Sequence, residues 1–305
     1  MRHFDAAATA RALPFPALIA ALERMFIAGC RVPPRHVHAV GEQLTTLLMP
    51  AWQPGRYYGL KVVNVGAGNA ALDLPAVHAV YQLFDADTGA PLALIDGGEL
   101  TVRRTAAASA LAASRLARPD ARRQLIVGAG HVASLLAPAY RAVRAIDDVM
   151  VWARDPQSAL RLVVKLAALG LPARVVTDLA TAAATADIVS CATLAAEPLI
   201  RGEWLAPGTH LDLIGGFTPA MREADDACFA GADVWVDTAE AVETAGDLLG
   251  PIASGVLRRE DIRGTLADLC AVPAMSRERT RRTVFKSVGT ALEDLAAAIV
   301  VVESA

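Results

Sequence analysis

The sequence has few cysteines and no concentration of charge of either sign. Its 305 residues include four cysteines, Cys30, Cys191, Cys228 and Cys270, which lie far apart and form no CxxC pair. The six histidines show no HExxH or similar spacing, so the sequence predicts no metal site. Lysine and arginine number 29 against 32 aspartates and glutamates. The resulting net charge of −3 gives no basis for binding nucleic acid.

Long apolar runs are missing as well. No stretch approaches the roughly 18 consecutive apolar residues of a membrane span, so we expect no membrane association. Asp5 and Arg11 interrupt the N-terminal region before a signal-peptide-like run could form. We therefore expect a cytoplasmic protein whose thiols are reduced and buried. A chain with 54% hydrophobic and 20% charged residues should form a large core, and its length suffices for two domains.

The N-terminal part of the chain predicts a mixed α+β region. Apolar residues recur with helical period between Leu18 and Phe26, and this helix should stop near Gly29. An alanine-rich segment, 100–118, predicts a long helix. Between these helices, the segments that predict strands are 45–49, 60–64, 77–85 and 91–95, the last two forming a hairpin.

The sequence pattern changes after Arg118-Pro119-Asp120, where short apolar segments that predict strands alternate with helical segments. The predicted strands are 124–127, 149–153, 173–176, 188–191, 211–214, 234–236 and 284–287. Strands that alternate with helices of this size predict a doubly wound parallel sheet of the Rossmann type. A final helix is predicted over 289–303.

A glycine motif follows the first of these strands. The segment Gly128-Ala-Gly130-His131-Val132-Ala133 is a GxGxxA fingerprint between a predicted strand and a predicted helix. In such a motif the first glycine permits the turn, the second lets the backbone approach a pyrophosphate, and the alanine keeps the helix close to the sheet. We predict these residues as cofactor-binding, with His131 acting through its backbone amide. The alternative is a glycine turn that serves packing alone.

The end of the second strand bears on the choice of nicotinamide cofactor. NAD sites usually place an acid here, but Ala153 fills that position and Arg154 follows it. An arginine can clamp a 2′-phosphate, so NADPH is the expected cofactor, with NADH as the alternative. The opposing interpretation is that Arg154 points to solvent and Asp155 contacts the ribose.

Motifs through nearly the whole chain resemble the ornithine cyclodeaminase/μ-crystallin family. Each motif is modest alone, but their order and spacing are specific. The motifs that precede the glycine turn are Pro33-Pro-Arg35, Leu48-Met-Pro50, Gly59-Leu-Lys61, the hairpin Asp87 to Gly97, and Arg104-Thr-Ala-Ala107. Those that follow it are Val151-Trp-Ala-Arg154, Cys191-Ala-Thr193, Gly215-Gly-Phe-Thr-Pro219, Met221-Arg-Glu223 and Phe285-Lys-Ser-Val-Gly289.

The resemblance implies an architecture and an assembly. Residues 1–118 with 287–305 would form a substrate-binding and dimerisation domain, and residues 119–286 a Rossmann NAD(P)-binding domain. A homodimer is expected on the same basis.

The resemblance also implies which residues form the site. Arg35, Lys61 and Arg104 match the cations that hold a substrate carboxylate, and Lys61 is further expected to be catalytic, by orienting the substrate or relaying a proton. Lys61 interrupts an apolar strand, where burying a charge is costly unless it serves a ligand. The alternative is a strand lysine that faces solvent, and spacing alone does not tell whether Arg103 or Arg104 faces inward.

Positions at later strand ends are assigned in the same way. The resemblance implies cofactor contacts for Thr193, Gly215, Ser287 and Val288. Ordinary packing at the ends of strands is the alternative for all four.

One segment departs from the cyclodeaminases themselves. They carry Gly-Gly-Asp where this chain has Gly215-Gly216-Phe217, and their aspartate is the acid/base of deamination. Phe217 cannot transfer protons, and Asp212 could not replace the aspartate without destroying the glycine match. The form Gly-Gly-Phe-Thr-Pro-x-Met-Arg-Glu resembles instead the family's Δ1-pyrroline-2-carboxylate reductases, and an apolar Phe217 suits binding of an uncharged ring.

The expected function is therefore NAD(P)H-dependent reduction of a cyclic imino acid. Hydride transfer to the C=N carbon would convert Δ1-pyrroline-2-carboxylate to L-proline, or Δ1-piperideine-2-carboxylate to pipecolate. The alternatives are an ornithine or lysine cyclodeaminase, an alanine-type dehydrogenase, and a μ-crystallin-like protein that binds a small molecule with NADPH. The proton donor stays open: His78 is a candidate beside Lys61, although a strand histidine more often has a structural hydrogen bond.

Overall fold

The computed structural model describes residues 1–66, 68–72, 74–75, 77–272 and 280–304. The chain forms two compact units. The first unit comprises Met1–Arg104 and Thr290–Ala305, and the second comprises Thr105–Gly289. The predicted domains, 1–118 with 287–305 and 119–286, stay a prediction, since the compact units divide at other points.

The N-terminal 116 residues contain six strands and three α-helices among the described residues. The strands are β1 (Arg2–Phe4), β2 (His36–Gly41), β3 (Leu44–Gln53), β4 (Tyr57–Gly66), β5 (Val77–Asp85) and β6 (Pro91–Asp96). The helices are α1 (Ala6–Ala12), α2 (Phe15–Ala28) and α3 (Gly97–Leu116). The helix predicted to stop near Gly29 is confirmed, because Gly29 follows α2 with a φ of +73°.

The following segment alternates strands with helices as predicted. Its strands are β7 (Arg123–Val127), β8 (Asp148–Trp152), β9 (Ala173–Val175), β10 (Ile188–Cys191), β11 (His210–Leu213), β12 (Asp233–Val236), β13 (Ile262–Thr265) and β14 (Thr283–Lys286). Its helices are α4 (Ala133–Arg141), α5 (Pro156–Ala168), α6 (Leu179–Thr185), α7 (Ala241–Thr244), α8 (Gly246–Ala253) and α9 (Leu266–Ala271). The C-terminal helix is α10 (Ala291–Glu303).

The first unit is built on a sheet of order β1-β6-β5-β4-β3-β2. β1 is parallel to β6, and the remaining neighbours are antiparallel. α10 packs against α2 and against β3 and β4. Because side chains alternate along a strand, Gly59 and Lys61 of β4 face the same side, and both are buried. This register places a lysine in the core of the first unit.

The second unit contains an all-parallel sheet of order β13-β12-β14-β11-β10-β7-β8-β9. The doubly wound parallel sheet predicted from the sequence is therefore confirmed. Its central strands are buried on both faces, as in a sheet that helices cover on each side. The strand order reverses between β7 and β10, the point where open α/β sheets bind ligands at the carboxyl ends of their strands.

Candidate active site

The glycine turn lies at the reversal of strand order. Gly128 directly follows β7 and has a φ of +113°, which favours glycine. A Cβ on Gly128 would also lie 2.5 Å from the carbonyl oxygen of Ala192. Ala133, the first residue of α4, is completely buried. The fold itself therefore requires a glycine and a small residue at these two positions.

Gly130 differs, because neither its backbone conformation nor its packing against the described residues requires a glycine. Its φ is not positive, and a Cβ built on it would meet no atom of the described residues within 4 Å. Gly130 and His131 are exposed, and Val132 is half-buried. A glycine that packing does not demand, at an exposed turn before a helix, fits the close approach of a pyrophosphate to the backbone.

The segment after β8 favours one of the two interpretations made from the sequence. The Asp155 carboxylate caps α5 by accepting from the backbone nitrogens of Gln157 (3.1 Å) and Ser158 (3.0 Å). A hydrogen bond from the Ser158 hydroxyl, together with these two backbone bonds, lowers the pKa of Asp155. Arg154 is exposed beside it. Because the acid is engaged in capping, Arg154 is the better candidate for contacting the ribose end of a cofactor.

One carboxylate links the ends of β10 and β11. It belongs to Glu223, a residue of the Met221-Arg-Glu223 motif to which no role was assigned from the sequence. Glu223 is fully buried. One carboxylate oxygen accepts from the backbone nitrogen (2.7 Å) and the hydroxyl (2.8 Å) of Thr193. The other accepts from the backbone nitrogen of Gly215 at 2.7 Å. The structure thus brings together Thr193 and Gly215, two of the predicted cofactor residues.

The loop after β14 holds the other two. Ser287 is buried, and Val288 is half-buried. Val288 donates its backbone N–H to Asp237, at the end of β12, over 2.8 Å. All four predicted strand-end residues therefore lie at the carboxyl edge of the parallel sheet, although their cofactor contacts stay predictions.

In the first unit, Lys61 lies at the centre of a buried ionic cluster. Its side chain is 1% exposed, which disfavours the interpretation of a solvent-facing lysine. The Nζ atom is 2.7 Å from Oδ2 of Asp294 and 3.4 Å from the hydroxyl of Thr101. Burial lowers the pKa of Lys61 to about 8, with Arg104 acting in the same direction and Asp294 opposing it. Lys61 can therefore exchange a proton near neutral pH.

Arg104 faces inward and completes the cluster. Its Nε donates to Asp294 over 3.0 Å, and its Nη1 to Glu293 over 2.7 Å. Arg103 pairs instead with Glu99 on the same helix. The choice between the two arginines, which spacing left open, is thus decided for Arg104.

Neither acid of this cluster was predicted from the sequence. Glu293 and Asp294 lie in α10, a helix that is otherwise almost entirely apolar, and both are fully buried. Two adjacent acids inside an apolar helix were the available signal, because buried charges need partners. Their shared partner Arg104 lies about 190 residues away in sequence, so periodicity could not identify the contacts.

The remaining candidates lie near the surface. Arg35 is half-buried directly before β2, and Phe217 is 46% exposed after Gly216. His78 is exposed on β5, paired with Asn64 in the strand register. Neither Phe217 nor His78 is held in a buried polar environment.

Asp212 occupies the interior of the second unit rather than a strand tip. Its carboxylate accepts from the hydroxyls of Ser109 (3.2 Å) and Tyr140 (2.7 Å), and burial raises its pKa to about 7. This agrees with the sequence argument that Asp212 does not replace the cyclodeaminase aspartate.

No group of three or more His, Cys, Asp or Glu side chains in the described parts of the chain is arranged to hold a metal ion. Within the same ranges, every helix is too short or too polar to span a bilayer.

Comparison with known proteins identifies the family. The family model for the ornithine cyclodeaminase/mu-crystallin family matches residues 10–305. The Δ1-pyrroline-2-carboxylate reductase of Paracoccus denitrificans is 46% identical over 254 residues, which are 82% of this chain and 80% of that protein.

Two solved structures resemble the chain over its whole length. The Δ1-pyrroline-2-carboxylate reductase of Thermococcus litoralis, in complex with NADH and L-proline, has a TM-score of 0.93 and 31% identity, covering 100% of this chain and 97% of that one. An archaeal alanine dehydrogenase dimer with bound NAD has a TM-score of 0.92 and 28% identity, covering 100% and 95%. The chain therefore belongs to the ornithine cyclodeaminase/mu-crystallin family.

Proposed function

We propose that this protein is an NAD(P)H-dependent reductase of cyclic imino acids, with Δ1-pyrroline-2-carboxylate as substrate and L-proline as product. The observation that carries the proposal is the buried pair Lys61 and Arg104 in a chain that also has the GxGxxA turn. The reductases of Paracoccus denitrificans and Thermococcus litoralis support it, since they act on this class of substrate by name. The six-membered homologue, Δ1-piperideine-2-carboxylate, is the second substrate to test.

Three cations are assigned to the substrate carboxylate in this proposal. Lys61 and Arg104 pair within the first unit with Glu293 and Asp294. Arg35, half-buried directly before β2, is the third. A guanidinium binds a carboxylate through two parallel hydrogen bonds, which suits Arg35 and Arg104 to hold the acid group.

The acids have a separate role in this proposal. Burying two unpaired cations would be unfavourable, so Glu293 and Asp294 stabilise Lys61 and Arg104 when no substrate is bound. They also fix the direction of both side chains, because each contact is shorter than 3.1 Å. A substrate carboxylate would thus meet cations that are already oriented.

Reduction of a C=N bond requires a hydride and a proton. A bound nicotinamide cofactor supplies the hydride, and Gly128, Gly130, His131, Val132 and Ala133 would hold its pyrophosphate. Lys61 is the proposed proton donor, since with a pKa of about 8 it is largely protonated at neutral pH. We further propose NADPH as the preferred cofactor, on the basis of the exposed Arg154 beside the capping Asp155.

Phe217 is proposed to face the ring of the substrate. A phenyl group offers an apolar contact and no proton, which fits a cyclic imine without a second charge. This assignment separates the proposed reductase from a cyclodeaminase, whose substrate carries a distal ammonium.

A homodimer in the cytoplasm is proposed as the working state. Val37, Val40 and Val77 on the sheet of the first unit are more than half exposed, and apolar sheet residues of this kind suit a partner surface. The alanine dehydrogenase with a similar fold is a dimer. The four cysteines are free thiols, three of them buried, which agrees with a reducing compartment.

The proposal is tested by oxidation of NADPH and of NADH with each of the two cyclic imino acids. We expect turnover with Δ1-pyrroline-2-carboxylate and severe loss of it in Lys61→Ala. Arg103→Gln is the matched control and should retain activity, because Arg103 neighbours Arg104 on the same helix but pairs with Glu99 and not with the buried acids. Failure to reduce either ring would contradict the proposed function.

A second candidate is an alanine-type dehydrogenase, favoured by the fold shared with the archaeal enzyme. Ammonia release from alanine, ornithine or lysine with NAD or NADP would support it or the cyclodeaminase alternative. The phenyl ring of Phe217 argues against both, because neither can use it for proton transfer.

A further inference from the structure

Several loops meet at the carboxyl edge of the parallel sheet in the second unit. β7, β10, β11 and β14 are neighbours through the order β14-β11-β10-β7, and all run parallel. The glycine turn follows β7, and Thr193, Gly215 and Val288 follow the other three. In a doubly wound sheet the ligand lies along this edge.

Three buried carboxylates at this edge accept hydrogen bonds mainly from backbone amides. Glu223 accepts from the amides of Thr193 and Gly215, each at 2.7 Å. Asp237 accepts from the amides of Val288 (2.8 Å) and Gly289 (2.6 Å). Asp247 accepts from the amide of Glu223 at 2.7 Å, and its other oxygen lies 3.1 Å from Nζ of Lys286. We call Glu223, Asp237 and Asp247 the carboxylate frame.

The hydrogen bonds of the carboxylate frame suit ionised carboxylates. Both oxygens of Glu223 already accept hydrogen bonds, so the ionised form fits the geometry. Burial raises the pKa of Glu223, while the Lys286 ammonium opposes that rise. Hydrogen bonds to an ionised acceptor are stronger than neutral ones, so the frame holds these loops firmly.

We propose that Glu223 and Asp237 are positioning residues of the cofactor site, which fix the loops after β10, β11 and β14 in their binding geometry before the cofactor arrives. This inference rests on the proposed function. A site whose loops are ordered in advance loses less conformational freedom on binding and binds more tightly. It also follows that the amides of Thr193, Gly215 and Val288 are engaged by the protein, so these residues meet the cofactor through other groups.

The substitution Glu223→Gln tests the proposal at atomic level. Glutamine keeps the shape of the side chain but replaces one acceptor oxygen with an NH2 group. That group would face the amide of either Thr193 or Gly215, so the variant can hold one of the two loops but not both. Asp237→Asn is the corresponding change for the loop after β14.

Asp187 provides a matched control. It accepts from the backbone nitrogens of Arg122 and Arg123, both at 3.0 Å, and is buried. It lies before β10, at the amino edge of the same sheet. Asp187→Asn therefore removes the same kind of bond where no ligand is expected.

The first measurement is NADH affinity, by fluorescence titration at a temperature where circular dichroism shows each variant to be folded. We expect Glu223→Gln and Asp237→Asn each to weaken NADH binding roughly tenfold, as expected when a charged hydrogen-bond partner is lost. Asp187→Asn should bind NADH within about twofold of the wild type, since its bonds lie at the opposite edge. Unchanged affinity in both frame variants, or an equal loss in Asp187→Asn, would overturn the proposal.

The second measurement needs no variant, so it holds even if a frame variant fails to fold. Hydrogen exchange of the wild type should show the amides of Thr193, Gly215 and Val288 protected without NADH. The amides of residues 129–132 should gain protection when NADH is added. Rapid exchange at Thr193 and Gly215 without NADH would overturn the inference. Unchanged exchange at 129–132 on addition of NADH would show that the cofactor does not bind at the glycine turn, and would contradict the proposed function.

Discussion

The two units use buried charge in opposite ways. In the first unit, Lys61 and Arg104 are buried cations whose partners are the side chains of Glu293 and Asp294. In the second, Glu223 and Asp237 are buried carboxylates whose partners are mostly backbone amides. The first arrangement directs charged side chains, and the second directs loops.

This difference follows from the elements to which the buried charges and their partners belong. β4 and α3 are regular elements whose backbone groups are satisfied internally, so their charged side chains need other side chains as partners. The loops after β10, β11 and β14 have amides outside any ladder, and carboxylates satisfy them. Substitutions should therefore affect the two units differently.

The largest effect is expected for Asp294→Asn. It leaves two buried cations with one remaining acid, and breaking a buried ion pair typically costs about 3–5 kcal/mol. We expect a loss of stability of that order, measured by urea unfolding. The control Glu99→Gln breaks the partly exposed pair with Arg103, for which a change below about 1 kcal/mol is expected. Equal losses of stability in Asp294→Asn and Glu99→Gln would mean that the buried cluster stabilises the protein no more than the partly exposed pair does.

Lys61→Met should give the largest effect on catalysis. It removes the proposed proton donor but keeps Asp294 paired with Arg104, and positioned proton transfer contributes about 100-fold or more. We expect kcat to fall by at least that factor, measured with saturating imino acid. A loss confined to KM would show that Lys61 binds the substrate without donating a proton.

The pH dependence separates activity from stability in the first unit. The pKa of Lys61 is lowered from 10.5 to about 8, so its ammonium form is lost as pH rises through 8. Activity that needs this proton should decline above pH 8. Between pH 8 and 10.5 the unfolded chain holds the proton that the folded chain has lost, so this residue's contribution to stability should increase with pH.

Parallel pH profiles of kcat/KM and of unfolding free energy check both trends. In Lys61→Arg the alkaline decline should disappear from whatever activity remains, since a guanidinium stays protonated in this range. A wild-type profile that is flat to pH 10 would contradict the assignment of Lys61 as the proton donor.

In the second unit, Arg154→Ala should change cofactor preference. We expect NADPH affinity to fall roughly tenfold, because a charge-assisted contact to the 2′-phosphate is lost, with a much smaller change for NADH. Fluorescence titration with both cofactors measures this. Equal losses for NADPH and NADH would assign Arg154 a role that does not involve the phosphate.

The smallest effect on stability is expected for Gly130→Ala. The added methyl group would meet no described atom within 4 Å, so unfolding should change by less than about 1 kcal/mol. Cofactor affinity should nevertheless fall, because the methyl group would occupy the approach of the pyrophosphate. An unchanged affinity would support the interpretation of a glycine turn that serves packing alone.

Much of the fold was predictable because it depends on local patterns. The alternation of strands and helices after residue 120 predicted the parallel sheet, and the GxGxxA turn lies between β7 and α4 as expected. β13 was missed, since Ile262-Arg-Gly-Thr265 is short and has little apolar character. β2 was missed as well; its six residues are all exposed, so it forms no part of a buried apolar face.

The candidate site could be predicted where residues match motifs, and not where they act through distant partners. Lys61 and Arg104 were predicted to be site residues, and the structure shows that both are buried, while their roles stay predictions. Their acids in α10 were not, because contacts across about 190 residues leave no trace in spacing. Glu223 was quoted within its motif, but a carboxylate that binds backbone amides cannot be distinguished in sequence from a solvated one.

In the proposed reductase, buried cations recognise the carboxylate of a cyclic imine. The most direct test compares kcat/KM for Δ1-pyrroline-2-carboxylate with that for Δ1-pyrroline, which has the same ring without the carboxylate. The wild type should prefer the carboxylated ring by about 100-fold or more, as expected for loss of a bidentate charged contact, and Arg104→Met should lose most of that preference. Equal use of both rings by the wild type, or a preference that Arg104→Met retains in full, would contradict the account.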